Sequence, residues 1–172
     1  VISSDIHKSL LNFFDFNIKL VDVSIARKPS IISDMLALIK LIKIFKDNKF
    51  SCLHSVTPKA GLLTMLAGFI VGTPIRVHTF TGQVWASKKG VARAFYKLMD
   101  RITALFSTQV LADSNSQREF LILNKVVSSK KIIVLGEGSI VGVDGSRFRP
   151  DASKRAEIRR GFGIRPNDIV FI

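Results

Sequence analysis

A chain of 172 residues is long enough to build one domain with a sizeable core and too short for two complete ones. It carries 26 Lys and Arg against 13 Asp and Glu, a net charge of +13, yet 47% of its residues are hydrophobic. Basic disordered tails are poor in apolar residues, so the composition excludes them and indicates a folded protein that works near an anionic membrane, phosphates or nucleic acid.

The first half of the sequence alternates strand and helix patterns. Residues 18–25 (IKLVDVSI) predict a strand, and a helix follows, opened by Ser30 and running to about Lys46. A second strand over residues 50–56 leads through the loop TPKAG into an apolar helix over residues 61–71. That helix is shorter than the roughly 20 apolar residues that a bilayer-spanning helix needs. The apolar face of the first helix is predicted to contain Met35, Leu38, Ile39 and Ile42.

The second half continues the same alternation. Helices are predicted over residues 89–106 and 116–123, the second one capped by Asp113 and Ser114. Strands alternating with helices are typical of a parallel sheet with crossover helices. The prediction is therefore an α/β fold, with a Rossmann-like parallel sheet and helices on both of its faces. The strands predicted in this half cover residues 75–80, 109–112 and 132–135.

The two ends predict a chain that is truncated on both sides. Residues 1–3 (VIS) resemble the tail of a strand already in progress, and residues 169–172 (IVFI) resemble a strand just beginning. We therefore expect residues 1–149 to form one domain that lacks its first strand. Residues 150–172 are expected to supply a short basic linker helix and the first strand of a following domain.

Cysteine content and the N-terminal residues bear on location. Cys52 is the only cysteine, which excludes an internal disulfide and suits a reducing cytosol. The first residues do not show the charged start, apolar stretch and small-residue cleavage site of a secretory signal. The sequence therefore predicts a cytoplasmic protein.

Three polar loops, HSVTPKAG, HTFTGQVW and ADSNSQR, each follow a predicted strand. Ligands of open α/β sheets bind beyond the carboxyl ends of the strands, so we expect these loops to share one rim. Hydroxyl, amide and imidazole groups can donate and accept hydrogen bonds, and an aromatic ring can pack on a sugar, so this mixture favours a polyol ligand. His54 lies inside an apolar strand, which favours a core position, whereas His78 lies near a loop and is compatible with either role.

A glycine-rich segment, LGEGSIVGVDGSRF, follows the last predicted strand of the first domain. Glycines let main-chain N–H groups approach an anion closely, so the segment is a candidate phosphate site. Its spacing is not the dinucleotide-binding fingerprint, because the third glycine comes one residue late and no helix follows directly. A tight loop between domains explains the glycines equally well. They are Gly136, Gly138, Gly142 and Gly145.

Basic residues recur every four positions on the helix predicted after TGQVW, and apolar residues occupy another face. Such a basic amphipathic helix is a candidate for docking on anionic lipid headgroups. The ordinary alternative is a helix solvated on its basic face and buried on its apolar one. The basic residues are Lys89, Arg93, Lys97 and Arg101, and the apolar ones are Phe95, Leu98, Ile102 and Leu105.

The order of four segments, HSVTPKAGLL, VHTFTGQVW, VLADSNSQREFL and VLGEGSIVGVDGSRFRP, resembles the N-terminal, acceptor-side domain of GT-B glycosyltransferases. The resemblance is to the retaining group that builds bacterial surface polysaccharides such as lipopolysaccharide and capsule. It implies transfer of a sugar from a nucleotide-sugar to a saccharide or lipid-linked acceptor, with neither a metal nor a cofactor besides the donor. It also implies an enzyme peripheral to the inner face of the plasma membrane, and no activity from this fragment alone.

The same resemblance implies roles for individual residues. Thr81 and Gly82 would lie near the reacting sugar, and Gly138 and Ser139 would face the cleft between domains. Many relatives carry a histidine where this sequence has Thr81, and a threonine cannot act as a base near neutral pH. Contacts to the acceptor or to phosphate would come from Lys59, His78, Gln83, Ser114 and Arg118.

Two other functions remain open from the sequence. A sugar-nucleotide epimerase shares the two-domain architecture, and fold resemblance does not separate it from a transferase. Nucleic-acid binding would use the net charge of +13. No nucleic-acid partner is expected, because the sequence has no zinc-ligand spacing, helix-turn-helix pattern or aromatic RNA-binding strand.

Overall fold

A computed structural model of the chain describes residues 2–3, 20–25, 30–139, 142 and 144–171. The chain divides into two compact units, residues 1–139 and 140–172. The domain boundary expected after residue 149 stays a prediction.

The first unit contains two parallel sheets. In the smaller one, β1 (Ile2–Ser3) pairs with β2 (Val21–Asp22). The larger one has the strand order β3-β4-β5-β6, with every neighbouring pair parallel. The predicted α/β fold with a Rossmann-like parallel sheet is therefore confirmed. The larger sheet consists of β3 (Cys52–Ser55), β4 (Ile75–Phe80), β5 (Gln109–Ala112) and β6 (Ile132–Val134); the helices are α1 (Ile31–Asn48), α2 (Pro58–Val71), α3 (Gly90–Phe106) and α4 (Asn115–Leu123).

The two faces of the larger sheet differ in how completely they are covered. Side chains of Leu53, His78 and Val110 lie on one face and are buried. On the other face Ile75 and Ile133 stay partly exposed. The core therefore lies mainly on the first face of the sheet, and it extends from there into the packing of α1 on α2.

Helix α1 packs through a face that only partly matches the predicted one. Its buried residues are Ala37, Leu41 and Phe45, spaced four apart. Of the predicted face, Leu38 and Ile42 pack against this core, whereas Met35 and Ile39 are 58% and 57% exposed. Because α1 is apolar around most of its circumference, periodicity alone does not select a side. The small side chain of Ala37 lies in the face that is buried.

Helix α2 begins three residues earlier than expected. The segment TPKAG, predicted as a loop, forms the N-cap Thr57 and the first helical turn. Pro58 at the first helical position fixes φ at a helical value and loses no needed hydrogen bond there. The helix ends as predicted at Gly72, whose φ of +78° lies in the left-handed region.

The second unit contains the predicted short basic helix, α5 (Ala152–Gly161). The carboxylate of Asp151 accepts a hydrogen bond from the main-chain N–H of Lys154 and so caps it. Residues 169–171, expected to begin a strand, are not paired in one. A strand is held by its neighbour, and the described part of this unit offers no second strand to them.

Candidate functional site

Three neighbouring parallel strands end at one edge of the larger sheet. Phe80 pairs with Ala112, and Ala112 pairs with Val134, so β4, β5 and β6 finish side by side. The loops after these strands therefore leave the sheet together, as predicted for the ligand edge of an α/β fold. We call the predicted site residues of these loops, together with Asp113, the rim. Its members are Thr81, Gly82, Gln83, Asp113, Ser114, Gly138 and Ser139.

The glycine-rich loop packs tightly against the turn after β5. The main-chain N–H of Ser139 donates to the carbonyl oxygen of Asp113 over 2.6 Å. Gly138 has φ +98°, and a Cβ atom there would lie 2.4 Å from the same carbonyl oxygen. Only glycine fits this position. The Ser139 N–H already has a protein acceptor, so Gly138 serves close packing of two rim loops.

Two buried polar atoms of the rim have no hydrogen-bond partner among the described residues. They are Nε2 of Gln83, an amide donor, and Oδ1 of Asp113, a carboxylate acceptor. Leaving such a group unpaired costs about 1–3 kcal/mol, so it normally indicates a missing water or ligand. Thr81 and Gly82, the two residues before Gln83, are exposed. The rim therefore contains a donor and an acceptor that lack partners among the described residues, next to the exposed Thr81.

The structure contradicts the expected core position of His54 and gives His78 the buried one of its two open positions. His54, expected in the core, is exposed, and its Nε2 lies 2.8 Å from Oγ1 of Thr79. His78 is only 1% exposed, and its Nδ1 lies 2.8 Å from Oγ of Ser55. Strand alternation explains this difference, because His54 lies on the partly covered sheet face and His78 on the buried one.

Burial also sets the charge of His78. Burial, together with a smaller effect of nearby His54, lowers the pKa of the imidazole to about 4. The ring is packed against Gly61 of α2, where an added Cβ would lie 2.3 Å from Cε1. His78 is therefore neutral at pH 7 and packs α2 on the sheet.

Three predicted ligand contacts have structural partners in the first unit. Nζ of Lys59 lies 2.6 Å from Oδ1 of Asp34 and so joins α2 to α1. Nε of Arg118 donates to the carbonyl oxygen of Ile132 over 3.1 Å, at the start of β6. Ser114 is the N-cap of α4 and accepts a main-chain N–H from the first turn of that helix. Of the three, only Ser114 belongs to the rim.

Trp85 anchors the loop that carries Thr81, Gly82 and Gln83. The indole is fully buried, stacks on Phe120 and donates from Nε1 to Oδ2 of Asp100 over 2.7 Å. Burial raises the pKa of Asp100 to about 6, although the hydrogen bond from Trp85 opposes that rise. Sequence reasoning missed Asp100, even though it is the only acidic residue of α3.

The predicted basic stripe of α3 faces its neighbours. The Arg93 guanidinium lies 5.1 Å from the centre of the Trp85 ring, and Nζ of Lys97 lies 5.4 Å from it. Arg101 donates from Nε to the carbonyl of Lys125 just after α4, over 2.9 Å. The fourth basic residue, Lys89, is the exposed N-cap of α3.

The apolar residues of α3 lie on its outer side. Phe95, Leu98 and Leu105 are exposed, and Ile102 is half-buried. This reverses the ordinary arrangement, in which the basic face is solvated and the apolar face buried. Arg93 and Lys97 lie instead over the ring of the buried Trp85.

Two cavities lie away from the rim. One, of about 450 Å³, is lined by residues after β2 and in the first turns of α1. Another, of about 380 Å³, lies beyond the end of α4. In the described ranges, no three His, Cys, Asp or Glu residues are grouped closely enough to hold a metal ion. None of the helices in the described part of the chain combines the length and apolar character that crossing a bilayer requires.

Known proteins resemble this chain in sequence and in fold. No protein-family model matches it. A capsular polysaccharide biosynthesis glycosyltransferase, CapM of Staphylococcus aureus, is 33% identical over 135 residues, which are 78% of this chain and 36% of CapM. The chain is homologous to bacterial glycosyltransferases of the surface-polysaccharide type. A second such glycosyltransferase, the UDP-Gal:alpha-D-GlcNAc-diphosphoundecaprenol alpha-1,3-galactosyltransferase of Escherichia coli, is 29% identical over 94% of this chain.

The chain spans 36% and 41% of the lengths of these two glycosyltransferases. Crystal structures of HepE from Anabaena, solved with UDP and with UDP-glucose, superpose with TM-scores of 0.59 and 0.62 at 16% and 15% identity. They match 91% of this chain and 39% of HepE, and at this identity they show the fold alone. The resemblance to bacterial surface-polysaccharide glycosyltransferases that was inferred from the sequence is thus confirmed.

Proposed function

We propose that the protein containing this chain transfers a sugar from a nucleotide-sugar to a saccharide or lipid-linked acceptor in bacterial surface-polysaccharide synthesis. The chain would supply the acceptor side of the site. The observation that carries this proposal is the rim, where Gln83 and Asp113 hold a buried donor and a buried acceptor without partners. The names of the two relatives support the class of reaction.

The substrates follow from the same comparison. The E. coli relative is named for a UDP-galactose donor and a diphosphoundecaprenol-linked acceptor, and HepE was crystallised with UDP-glucose. We therefore propose a UDP-sugar donor and a lipid-linked acceptor here, with no cofactor besides the donor. A lipid-linked acceptor and a net charge of +13 support a location at the cytoplasmic face of the membrane.

The rim would act by positioning the acceptor. The Gln83 amide donates to an acceptor hydroxyl, the Asp113 carboxylate accepts from another, and the Thr81 hydroxyl does either. Holding a hydroxyl at attack distance supplies a large part of a transfer rate without a protein base. In the proposed retaining reaction the departing diphosphate takes the acceptor proton. This is compatible with Thr81 at this position and with a buried, neutral His78.

The test is acceptor kinetics of the complete protein with changed rim residues. Gln83→Met removes the amide at nearly constant volume, and Thr81→Val removes the hydroxyl. Each is expected to lower kcat/KM for the acceptor by roughly tenfold to a hundredfold, because a hydrogen bond to a bound hydroxyl is lost. Affinity for the nucleotide alone should not change.

The matched control is Ser51→Ala, which removes an exposed hydroxyl just before β3, at the opposite edge of the sheet. It should leave kcat/KM within twofold of the unchanged protein. If Gln83→Met and Thr81→Val behave like Ser51→Ala, the rim is not the acceptor site.

A further inference from the structure

Helix α3 carries an apolar stripe on its solvent side. Val91 and Leu105 are 87% and 69% exposed, and Phe95 and Leu98 between them are about half exposed. At about 100° per residue these four positions fall within one narrow arc, opposite Asp100. The stripe extends over roughly 21 Å, at about 1.5 Å per residue. A contiguous apolar surface of this kind normally has an interaction partner.

Cations border this stripe, and acids are absent from it. Residues 84–106 contain five Lys or Arg and a single acid, Asp100, which is buried on the inner side. Lys88 and Lys89 precede the helix, and Lys88 also lies over the Tyr96 ring. Arg101 is exposed, although it also donates to the carbonyl oxygen of Lys125. An apolar band with cationic borders fits the boundary between acyl chains and anionic headgroups.

We propose that the stripe Val91, Phe95, Leu98 and Leu105 docks this protein on an anionic lipid bilayer. The docking contacts are then the apolar side chains, with the basic residues at their border. Arg93 and Lys97, which sequence periodicity favoured as lipid contacts, already lie over the Trp85 ring. A second copy of the chain fits the stripe less well, because two copies would bring identical cationic borders together.

The stripe is mechanically linked to the rim. The loop holding Thr81 and Gln83 runs directly into α3, and the hydrogen bond from Trp85 to Asp100 ties that loop to the helix. Docking through α3 would therefore hold the rim close to the bilayer surface, where a lipid-linked acceptor presents its sugar. This consequence rests on the proposed function, whereas the docking itself does not.

Vesicle sedimentation of the complete protein tests the docking. Vesicles of phosphatidylglycerol and phosphatidylcholine are compared with vesicles of phosphatidylcholine alone. The double change Phe95→Ser and Leu98→Ser should weaken binding to the anionic vesicles at least about tenfold, because two partly buried apolar side chains are lost. The matched control, Leu123→Ser, removes an exposed leucine of α4. Its binding to the anionic vesicles should stay within twofold of that of the unchanged protein.

A label at the stripe gives an answer that does not depend on that double variant. Leu98→Cys in a Cys52→Ser background carries an environment-sensitive fluorophore, and Leu123→Cys carries it as a control. Blue-shifted emission at position 98 only, and only with anionic vesicles, supports docking. A shift that instead rises with protein concentration in the absence of lipid would assign the stripe to self-association and overturn the proposal.

Activity separates this proposal from the proposed function. Transfer to a water-soluble saccharide acceptor should be unchanged by Phe95→Ser and Leu98→Ser, while transfer to a lipid-linked acceptor in vesicles should fall. Full vesicle binding by the double variant would refute the docking and leave the transferase proposal standing. Loss of transfer to both acceptors in a folded variant would also count against a docking role.

Discussion

Replacing Asp100 with Asn tests how much a buried charge beneath the rim loop lowers the free energy of unfolding. Asp100 is buried, and its Oδ2 accepts the Trp85 indole N–H over 2.7 Å. Burial raises the pKa of the carboxyl from 3.8 to about 6. Asn keeps an oxygen for Trp85 and removes the charge. We therefore expect Asp100→Asn to stabilise the protein at pH 8.

The size and sign follow from proton linkage. The folded-state pKa of Asp100 lies above its unfolded value, so the folded state binds the proton first as the pH falls. The free energy of unfolding therefore rises as the pH falls from about 6 towards 4, by about 3 kcal/mol for a difference of about two pH units. At pH 8 Asp100 is charged and that stabilisation is missing. Asp100→Asn should therefore raise the free energy of unfolding at pH 8 by up to about 3 kcal/mol.

His78 contributes the opposite dependence in nearly the same range. Its folded-state pKa falls from 6.5 to about 4, so the protein loses up to about 3 kcal/mol as the pH falls through that window. In the unchanged protein the two dependences largely cancel between pH 4 and 6. Asp100→Asn removes one of them, so stability of the variant should fall clearly with acid.

Urea unfolding followed through the emission of Trp85, the only tryptophan of the chain, measures this effect. Titrations at pH 8, 6 and 4.5 should show the advantage of Asp100→Asn shrinking as the pH falls. Asp47→Asn, at an exposed position of α1, is the matched control and should show no such trend. An advantage that is absent at pH 8, or that does not change with pH, would refute the account of Asp100.

Two glycine substitutions test close packing. Gly61→Ala places a Cβ 2.3 Å from the His78 ring and should destabilise the first unit by about 1–3 kcal/mol in urea unfolding, whereas Gly145→Ala, with open space around it, should not. Gly138→Ala conflicts with φ +98° and with the carbonyl of Asp113, so it should displace the rim loop and lower kcat/KM for the acceptor about tenfold or more. Unchanged stability for the first or unchanged acceptor kinetics for the second would contradict the packing described here.

Local patterns correctly predicted the elements that combine strong local propensity with clear start or end signals. Strands over 75–80 and 109–112 appear with the predicted bounds, and Ser114 caps α4 as its position indicated. These elements combine strong local propensity with clear punctuation by Gly72 or by the cap itself. The shared edge at which β4, β5 and β6 end was also predictable, because the carboxyl ends of parallel strands lie at the same edge of a sheet.

Features that depend on distant partners were not predictable in this way. The side of a strand that carries His54 or His78 depends on which sheet face the helices cover. The partners of Lys59 and Arg118 lie 25 and 14 residues away along the chain, and no local pattern reveals them. The position of Arg93 and Lys97 depends on Trp85, which precedes α3 and whose burial no local pattern reveals.

Transfer of a labelled sugar is the most direct test of the central claim. The complete protein is incubated with labelled UDP-sugars and a diphosphoundecaprenol-linked saccharide, and both the lipid product and the donor are analysed. The account predicts label in the lipid-linked product, and less of it after Gln83→Met. Donor that is epimerised while the acceptor stays unlabelled would contradict it.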